Sequence, residues 1–590
     1  MKRSLGRFAI AAVLVTPGWV CAQPTPSIPI ARDLPQFQRH ELRRIEILGR
    51  LGFFGEEPLD QCVAPAPTAA ADIDVHRSLF VHDRATLDAD GGALFPLAKT
   101  LQKIADQVNA ATGASAPTPP TTALSIFRQL WDTQAVAPGA VPTPSSPHCD
   151  DNGGTVNGFP NACRPEAAEA ADATPATMNA YRIVAAVNRI DLAHEGWRNC
   201  GEYRLIYAKP ENGIQRNLVI FEAVLPNPKP GCREGCMDVA RFWRDLSANA
   251  DPVDRGRKLE KFFYEGLTGF RPVVHVDHYS AKGVTGSYGS SGSGQIRTNQ
   301  FLGFPWILKE FKTVIDCGAS PCRFDLVPIM VKVNPHGELW NEDIANGAAA
   351  PMNALAQAFQ AGVLNPATLD SLGNAHLLRF GYSVDLAHDA AQSISLATPG
   401  FKDNYRDQLN AATGATTVFR TNLAAAATAR GLTSNQMVNR AMAQSCAGCH
   451  KPGTFGLDAP GSIGPTITPA GTLATSWPLD AGFVHVDTAI SAAPLPEFGA
   501  SPAFGSGLGN AISPALRDFF LPDRKNFLLA QLNAATCECV NRFRSIANAA
   551  LRERAIRIQR QVDARLSERV KLLRHDAGAL APSASSAERA

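Results

Sequence analysis

The chain has 590 residues, 45% of them apolar and 19% charged, a balance that excludes a disordered chain, a collagen and a polytopic membrane protein. Lys and Arg exceed Asp and Glu by two, and removing Lys2, Arg3 and Arg7 with a leader turns that excess to −1. No global charge for nucleic-acid binding is present, and at about 100–200 residues per domain the length accommodates about three to five domains.

Met1 to Ala22 reads as a secretory signal peptide, with Lys2, Arg3 and Arg7 at its basic start and Phe8 to Val15 as its apolar core. Val20-Cys21-Ala22 offers small residues for cleavage after Ala22. The apolar core is too short to span a bilayer, and no later segment approaches about 18 consecutive apolar residues. The expectation is a periplasmic or secreted protein with no transmembrane segment once the leader is removed. Thirteen cysteines less Cys21 leave twelve, an even number that suits disulfides in an oxidising compartment. Cys149 with Cys163, Cys232 with Cys236 and Cys317 with Cys322 are the attractive local pairs, each enclosing Gly, Pro or polar residues.

In chain order, residues 23–175 form a helix-leaning, irregular region. Helices are expected at Leu34 to Leu51, Pro96 to Ala110 and Ala123 to Asp132, with Pro/Thr/Ala-rich linkers at 116–122 and 137–144. Over 176–342 the pattern changes to an α+β domain. Tyr181 to Asp191, Glu202 to Tyr207, Asn217 to Leu225, Arg271 to His278, Gln295 to Phe301 and Arg323 to Val333 read as strands. Met237 to Leu246 and Pro252 to Leu267 read as helices on one side of the sheet, and Gly283 to Gly294 as a Gly/Ser-rich loop. Residues 343–430 form an Ala-rich helical connector.

Residues 431–540 carry the chemistry. Ser445-Cys446-Ala447-Gly448-Cys449-His450 contains C-x-x-C-H, in which two thiols one helical turn apart can each add to a vinyl group of one porphyrin. The adjacent His450 is then the proximal iron ligand. Here the chain resembles the c-type cytochromes, over a quarter of its length at most. That resemblance implies one covalently attached haem c and a small all-α domain. The helix from Thr433 to Ser445 would put the thiols on its last turn. Read structurally instead, Cys446 and Cys449 would bridge to other cysteines, with Cys537 and Cys539 the obvious partners.

Ligation of the iron's other side departs from the commonest cytochrome pattern. All seven methionines lie upstream of the motif, and the histidines downstream are His485 and His575. His485 is the expected distal ligand, against an open five-coordinate iron or a histidine from another domain. Bis-histidine ligation favours low-potential electron transfer; an open iron would admit peroxide, gas or substrate.

Other signals carry less. His275-Val276-Asp277-His278 would alternate across a strand, which makes three ligands to one metal awkward. Cys149 to Gly154 begins like a calcium loop without the later acidic ligands. Hydrolase, P-loop and dinucleotide motifs are absent. Residues 541–576 form a basic amphipathic helix of net +6, suited to an acidic partner or to packing by its apolar stripe, and 577–590 a disordered tail.

The chain therefore reads as a multidomain α+β protein that performs one-electron transfer, exchanging electrons with a small redox protein or carrier. It could also be the redox centre of a haem-dependent oxidoreductase. The alternatives are an extracellular binding module with an accessory or sensory haem, and a haem-free, disulfide-stabilised secreted protein.

Overall fold

The alternating pattern that begins near residue 180 builds one eight-stranded antiparallel sheet in the computed structural model of the chain. The structure describes residues 65–117, 120–130, 155–156, 159–160, 174–193, 197–209, 216–280, 294–301, 307–318, 320–347, 352–382, 386–394, 403–481 and 485–535. The expected helices at 34–51 and 541–576, the tail, the Cys149–Cys163 pair and the body of the Gly/Ser-rich loop lie outside these residues.

The strands are β1 Phe80–Val81, β2 Arg182–Arg189, β3 Asn199–Lys209, β4 Arg216–Pro226, β5 Gln295–Phe301, β6 Ile307–Asp316, β7 Arg323–Ile329 and β8 Ser393–Ile394. They run in the order β1-β2-β3-β4-β5-β6, with β7 and β8 sharing the outer edge of β6. Strand side chains alternate, so each strand serves two faces. Tyr203, Leu205 and Tyr207 of β3 join Val219, Phe221 and Ala223 of β4 in the main core. Against them pack α1 Leu97–Thr112, α2 Ala123–Gln129, α3 Met237–Ala248 and α4 Pro252–Tyr264. Trp243 of α3, fully buried, stacks on Tyr203 at 5.9 Å between ring centroids. Each such large apolar side chain contributes about 1.5–3 kcal/mol by leaving water.

The intervening residues Ile206, Ala208, Leu218 and Ile220 face the other way, beneath Leu521, Leu528 and Leu532 of a further helix, Leu521–Asn533. Helices therefore cover both faces of the sheet rather than one. Strands buried on both sides read as nearly unbroken apolar runs, as β4 does, whereas β3 carries Glu202 and Arg204 within its run. A separate helical cluster surrounds the buried Trp340 and takes in α5 Met352–Val363, α6 Val418–Thr428 and α7 Ser434–Met442.

One strand expectation fails and one strand was not foreseen, each for an identifiable reason. Arg271 to His278 is not a strand: Val273 and Val274 donate their backbone N–H groups to Phe262 and Phe263 at the end of α4, and Val276–Tyr279 closes into a 3-10 turn. Conversely β6 was not expected, because buried Lys309, Glu310 and Lys312 break its apolar pattern. No helix among the described residues is long and apolar enough to cross a membrane.

Candidate functional site

Thr433 opens α7 with a capping box, its hydroxyl accepting from Gln436 N at 3.2 Å while Gln436 Oε1 accepts from Thr433 N at 2.9 Å. The helix stops at Met442 instead of running into the motif. Ser445 then starts a separate five-residue helix, α8 Cys446–His450, its Oγ accepting from Gly448 N at 3.0 Å and donating to Met442 O at 2.7 Å. The thiols therefore ride on their own short helix, not on the last turn of the preceding one. The turn is tight enough to demand glycine: a Cβ on Gly448 would stand 2.0 Å from Met442 O.

Cys446 and Cys449 are free thiols, while Cys200–Cys236 and Cys317–Cys322 are disulfides. The Cys317–Cys322 pair matches expectation. The Cys232–Cys236 pair does not form, because Cys236, at the entry to α3, bonds to Cys200 of β3; Cys232 is disulfide-bonded elsewhere. Cys446 and Cys449 likewise do not bridge to other cysteines.

Cys446 packs against Leu308 and Val331, with its Sγ 3.7 Å from Lys332 O. Cys449 Sγ lies 3.4 Å from Nε2 of His485, whose ring centroid is 5.1 Å from that of His450 at an interplanar angle of 45°. The structure thus brings all four expected site residues together. His485 precedes a short strand, β9 Val486–Ile490, paired with β10 Asn510–Ile512. Its Nδ1 is 2.9 Å from Ser513 Oγ, its carbonyl accepts from Ser513 N at 2.9 Å, and Phe520 meets its ring edge-on at 5.5 Å.

The floor of the site is the charged half of the sheet's second face. Arg204 of β3 pairs with Glu202 and with Glu222 of β4 (2.9 Å to the latter), and Arg297 of β5 bridges Glu222 at 3.3 Å and Glu310 of β6 at 2.6 Å. Arg189, at the end of β2, holds Asp191 through two nitrogens at 2.9–3.1 Å. Glu202, Glu222 and Glu310 are buried. Burying charges is tolerable here because each carboxylate meets a guanidinium.

Burial pushes both thiols up to about 12 and holds the His485 imidazole well below its ordinary value, with His450, Arg524 and Arg189 adding to the depression. The Cys449–His485–Ser513 series has the connectivity of an activated-thiol relay. Moving the thiol proton to this imidazole is uphill, however, since the environment disfavours both charged products. What remains is a pair of neutral thiols beside a neutral imidazole that can donate a lone pair to a metal.

His450 and His485 are the two imidazoles that a metal held beside these thiols would meet, their ring centroids standing 5.1 Å apart. Among the described residues no group of three or more His, Cys, Asp or Glu could hold a bare metal ion. His275 and Asp277 form a 3.8 Å pair, with His275 Nδ1 accepting from Asp277 N at 3.2 Å.

Sequence reasoning missed Ser513, the arginine–glutamate ladder and Arg524. Charges at alternate positions of β3 and a basic residue on the apolar stripe of 521–532 were the signals that pointed to the last two. No family model, curated protein or solved structure matches this chain.

Proposed function

We propose that this chain is an exported one-electron carrier that would hold a single haem c through Cys446 and Cys449, with His450 and His485 as the residues that would ligate its iron. One observation carries the reading. Among the described cysteines the only free thiols are the two of the C-x-x-C-H motif, and their neighbouring imidazole faces a second imidazole at 5.1 Å. In a chain whose other described cysteines are oxidised, free thiols at that spacing are what thioether attachment requires.

Bound there, the group supplies a single Fe(III)/Fe(II) couple. The chain's residues do the rest. Ser513 orients His485: with Nδ1–H donated to its oxygen, Nε2 is left with the lone pair that ligates. Phe520 covers one side of the His485 ring with apolar surface and is backed by Trp477, 6.2 Å away. The buried ladder sets a fixed field beneath Cys446, in which Arg297 favours the thiolate and Glu310 and Glu222 oppose it. Its redox partner would be a small electron carrier, and the basic stretch 541–576 would suit an acidic one.

The test is the visible spectrum of protein made alongside a cytochrome c maturation system. Haem that survives denaturation, with sharp reduced α and β bands, is the expected result and indicates a six-coordinate low-spin iron. Attached haem with a broad high-spin spectrum would remove His485 from the ligand set and favour a sensory or catalytic role. No covalent haem would overturn the proposal and leave a haem-free, disulfide-stabilised protein.

A further inference from the structure

Four arginines are buried among the described residues: Arg84, Arg255, Arg440 and Arg524. Three have hydrogen-bond partners, although Nε of Arg255 has none. Arg84 reaches Ile183 O and Asp88, and Arg255 reaches Asn249 O, Thr86 and Ala503 O. Arg440, with no carboxylate in contact, is held by four backbone carbonyls, those of Ile463, Leu372, Asn374 and Pro465, at 2.7–3.0 Å.

Arg524 is the exception. It lies on the helix Leu521–Asn533, here α9, three residues after Leu521 and four before Leu528, so helical geometry turns it toward the interior with those leucines. It is 9% exposed, yet no hydrogen bond or ion pair reaches it among the described residues. Its one defined neighbour is the Phe520 ring, 6.0 Å from the guanidinium carbon, and that same ring abuts His485. Unlike Nε of Arg255, none of its nitrogens is closed off from solvent, so the guanidinium has room to receive an anion.

Asp191 and Asp523 attract Arg524, but both carboxylates are engaged by other arginines. Arg189 and Arg204 face Arg524 from the sheet and repel it; Asp191 is already held by Arg189, and Asp523 on its own helix is taken by Arg379 at 2.9 Å. His450, His485, Cys449 and Asp480 are further charged or titratable groups around this part of the pocket. Burial and those two arginines bring the Arg524 guanidinium down to about 9.

Resting on the haem reading above, we propose that Arg524 receives a propionate carboxylate of the haem. The prosthetic group would bring two carboxylates to this pocket, and a planar guanidinium matches a carboxylate through two parallel hydrogen bonds. In this pocket Arg524 is the guanidinium not already committed.

The test compares wild-type holoprotein with Arg524→Gln and Arg524→Lys, reading covalent haem content and midpoint potential against pH. Between about pH 5 and about pH 8, where a carboxylate kept from water titrates, the wild-type potential should be flat. In R524Q it should be lower and should fall as pH rises, because the unpaired carboxylate then titrates and its anion favours Fe(III). The Fe(III)/Fe(II) ratio at fixed potential would change up to about tenfold per pH unit. R524K should lie between the two. If Gln disturbs packing, Arg524→Met suits the flanking leucines and serves in its place.

R524Q holoprotein with the wild-type potential and the same flat profile would overturn the proposal. So would a wild-type spectrum that shifts on adding formate and ceases to do so in R524Q, since Arg524 would then bind a free carboxylate. Absence of covalent haem from the wild type is a different failure, that of the haem reading itself.

Discussion

Nε2 of His485 lies 3.4 Å from Sγ of Cys449, across a sequence separation of 36 residues. The contact joins the motif helix to the segment that leads into β9, and it places the one imidazole downstream of the motif among the described residues beside His450. The anchoring of that imidazole is equally specific, because Ser513 holds it both through its Oγ and through its backbone N–H.

That anchoring makes a prediction with two parts. His485→Ala should leave covalent haem content unchanged but convert the low-spin spectrum to high-spin, since the thioethers do not depend on it. Ser513→Ala should keep the low-spin spectrum while loosening the ligand, so that added imidazole competes about tenfold better. Visible spectroscopy with an imidazole titration reads both. A low-spin spectrum that survives His485→Ala would remove His485 from the iron.

Gly448 offers a test that concerns folding. An added Cβ would meet Met442 O at 2.0 Å and Met442 C at 2.7 Å, both backbone atoms at the end of α7. Neither can rotate away, so the two helices must separate. Gly448→Ala should cost more than about 2 kcal/mol in a denaturant titration and lower the yield of attached haem, because the thiols move with α8. Wild-type stability in that variant would show that the turn between α7 and α8 is looser than its geometry indicates.

Much of this was legible in the residues. The strands at 182–189, 199–209, 216–226 and 295–301 announce themselves by β-branched and aromatic runs, and the motif by its spacing. What escaped has a common cause: polar residues whose partners are remote in sequence. Lys309, Glu310 and Lys312 make β6 look like surface until Arg297 and the rest of the ladder cover it. Arg524 looks like the solvated side of a helix until Leu521 and Leu528 fix its direction. Cys232 seems to pair with nearby Cys236, but Cys200 of β3 occupies that position. His485 could be nominated from its order in the chain; Ser513, which orients it, carries no signal of its own.

At the opposite edge of the sheet, His82 is fully buried, with Nδ1 2.6 Å from Asn510 O and Nε2 3.1 Å from His76 Nδ1. The carbonyl demands Nδ1–H from His82, so its Nε2 accepts from His76. Burial, reinforced by His76, pushes His82 down to about 3. A base whose folded-state value is depressed stabilises the fold above its unfolded value and loses that contribution as the pH falls. Relative to His82→Asn, the parent should therefore lose up to about 1.4 kcal/mol per pH unit between about pH 6.5 and about pH 3. Urea titrations of both proteins across that range measure it. A stability gap that stays constant with pH would show that the buried imidazole accepts a proton without cost.

Asp403 provides the converse case. It is buried, its one hydrogen bond comes from Ile394 N, and no cation stands beside it among the described residues, so burial raises its carboxyl to about 7. An acid whose folded-state value is raised binds its proton more tightly in the native state, so its contribution is complete at low pH and declines as the pH rises from about 4 to about 7. Above that range the carboxylate must be ionised while buried, at a cost of about 4 kcal/mol relative to the protonated form. Asp403→Asn keeps an oxygen for Ile394 N and removes the charge. The variant should match the parent near pH 4, exceed it progressively through pH 7, and hold a constant advantage at pH 8. Melting temperatures of the two proteins at those three values check the sign, and an advantage for the parent at pH 8 would mean that a cation reaches Asp403 in solution.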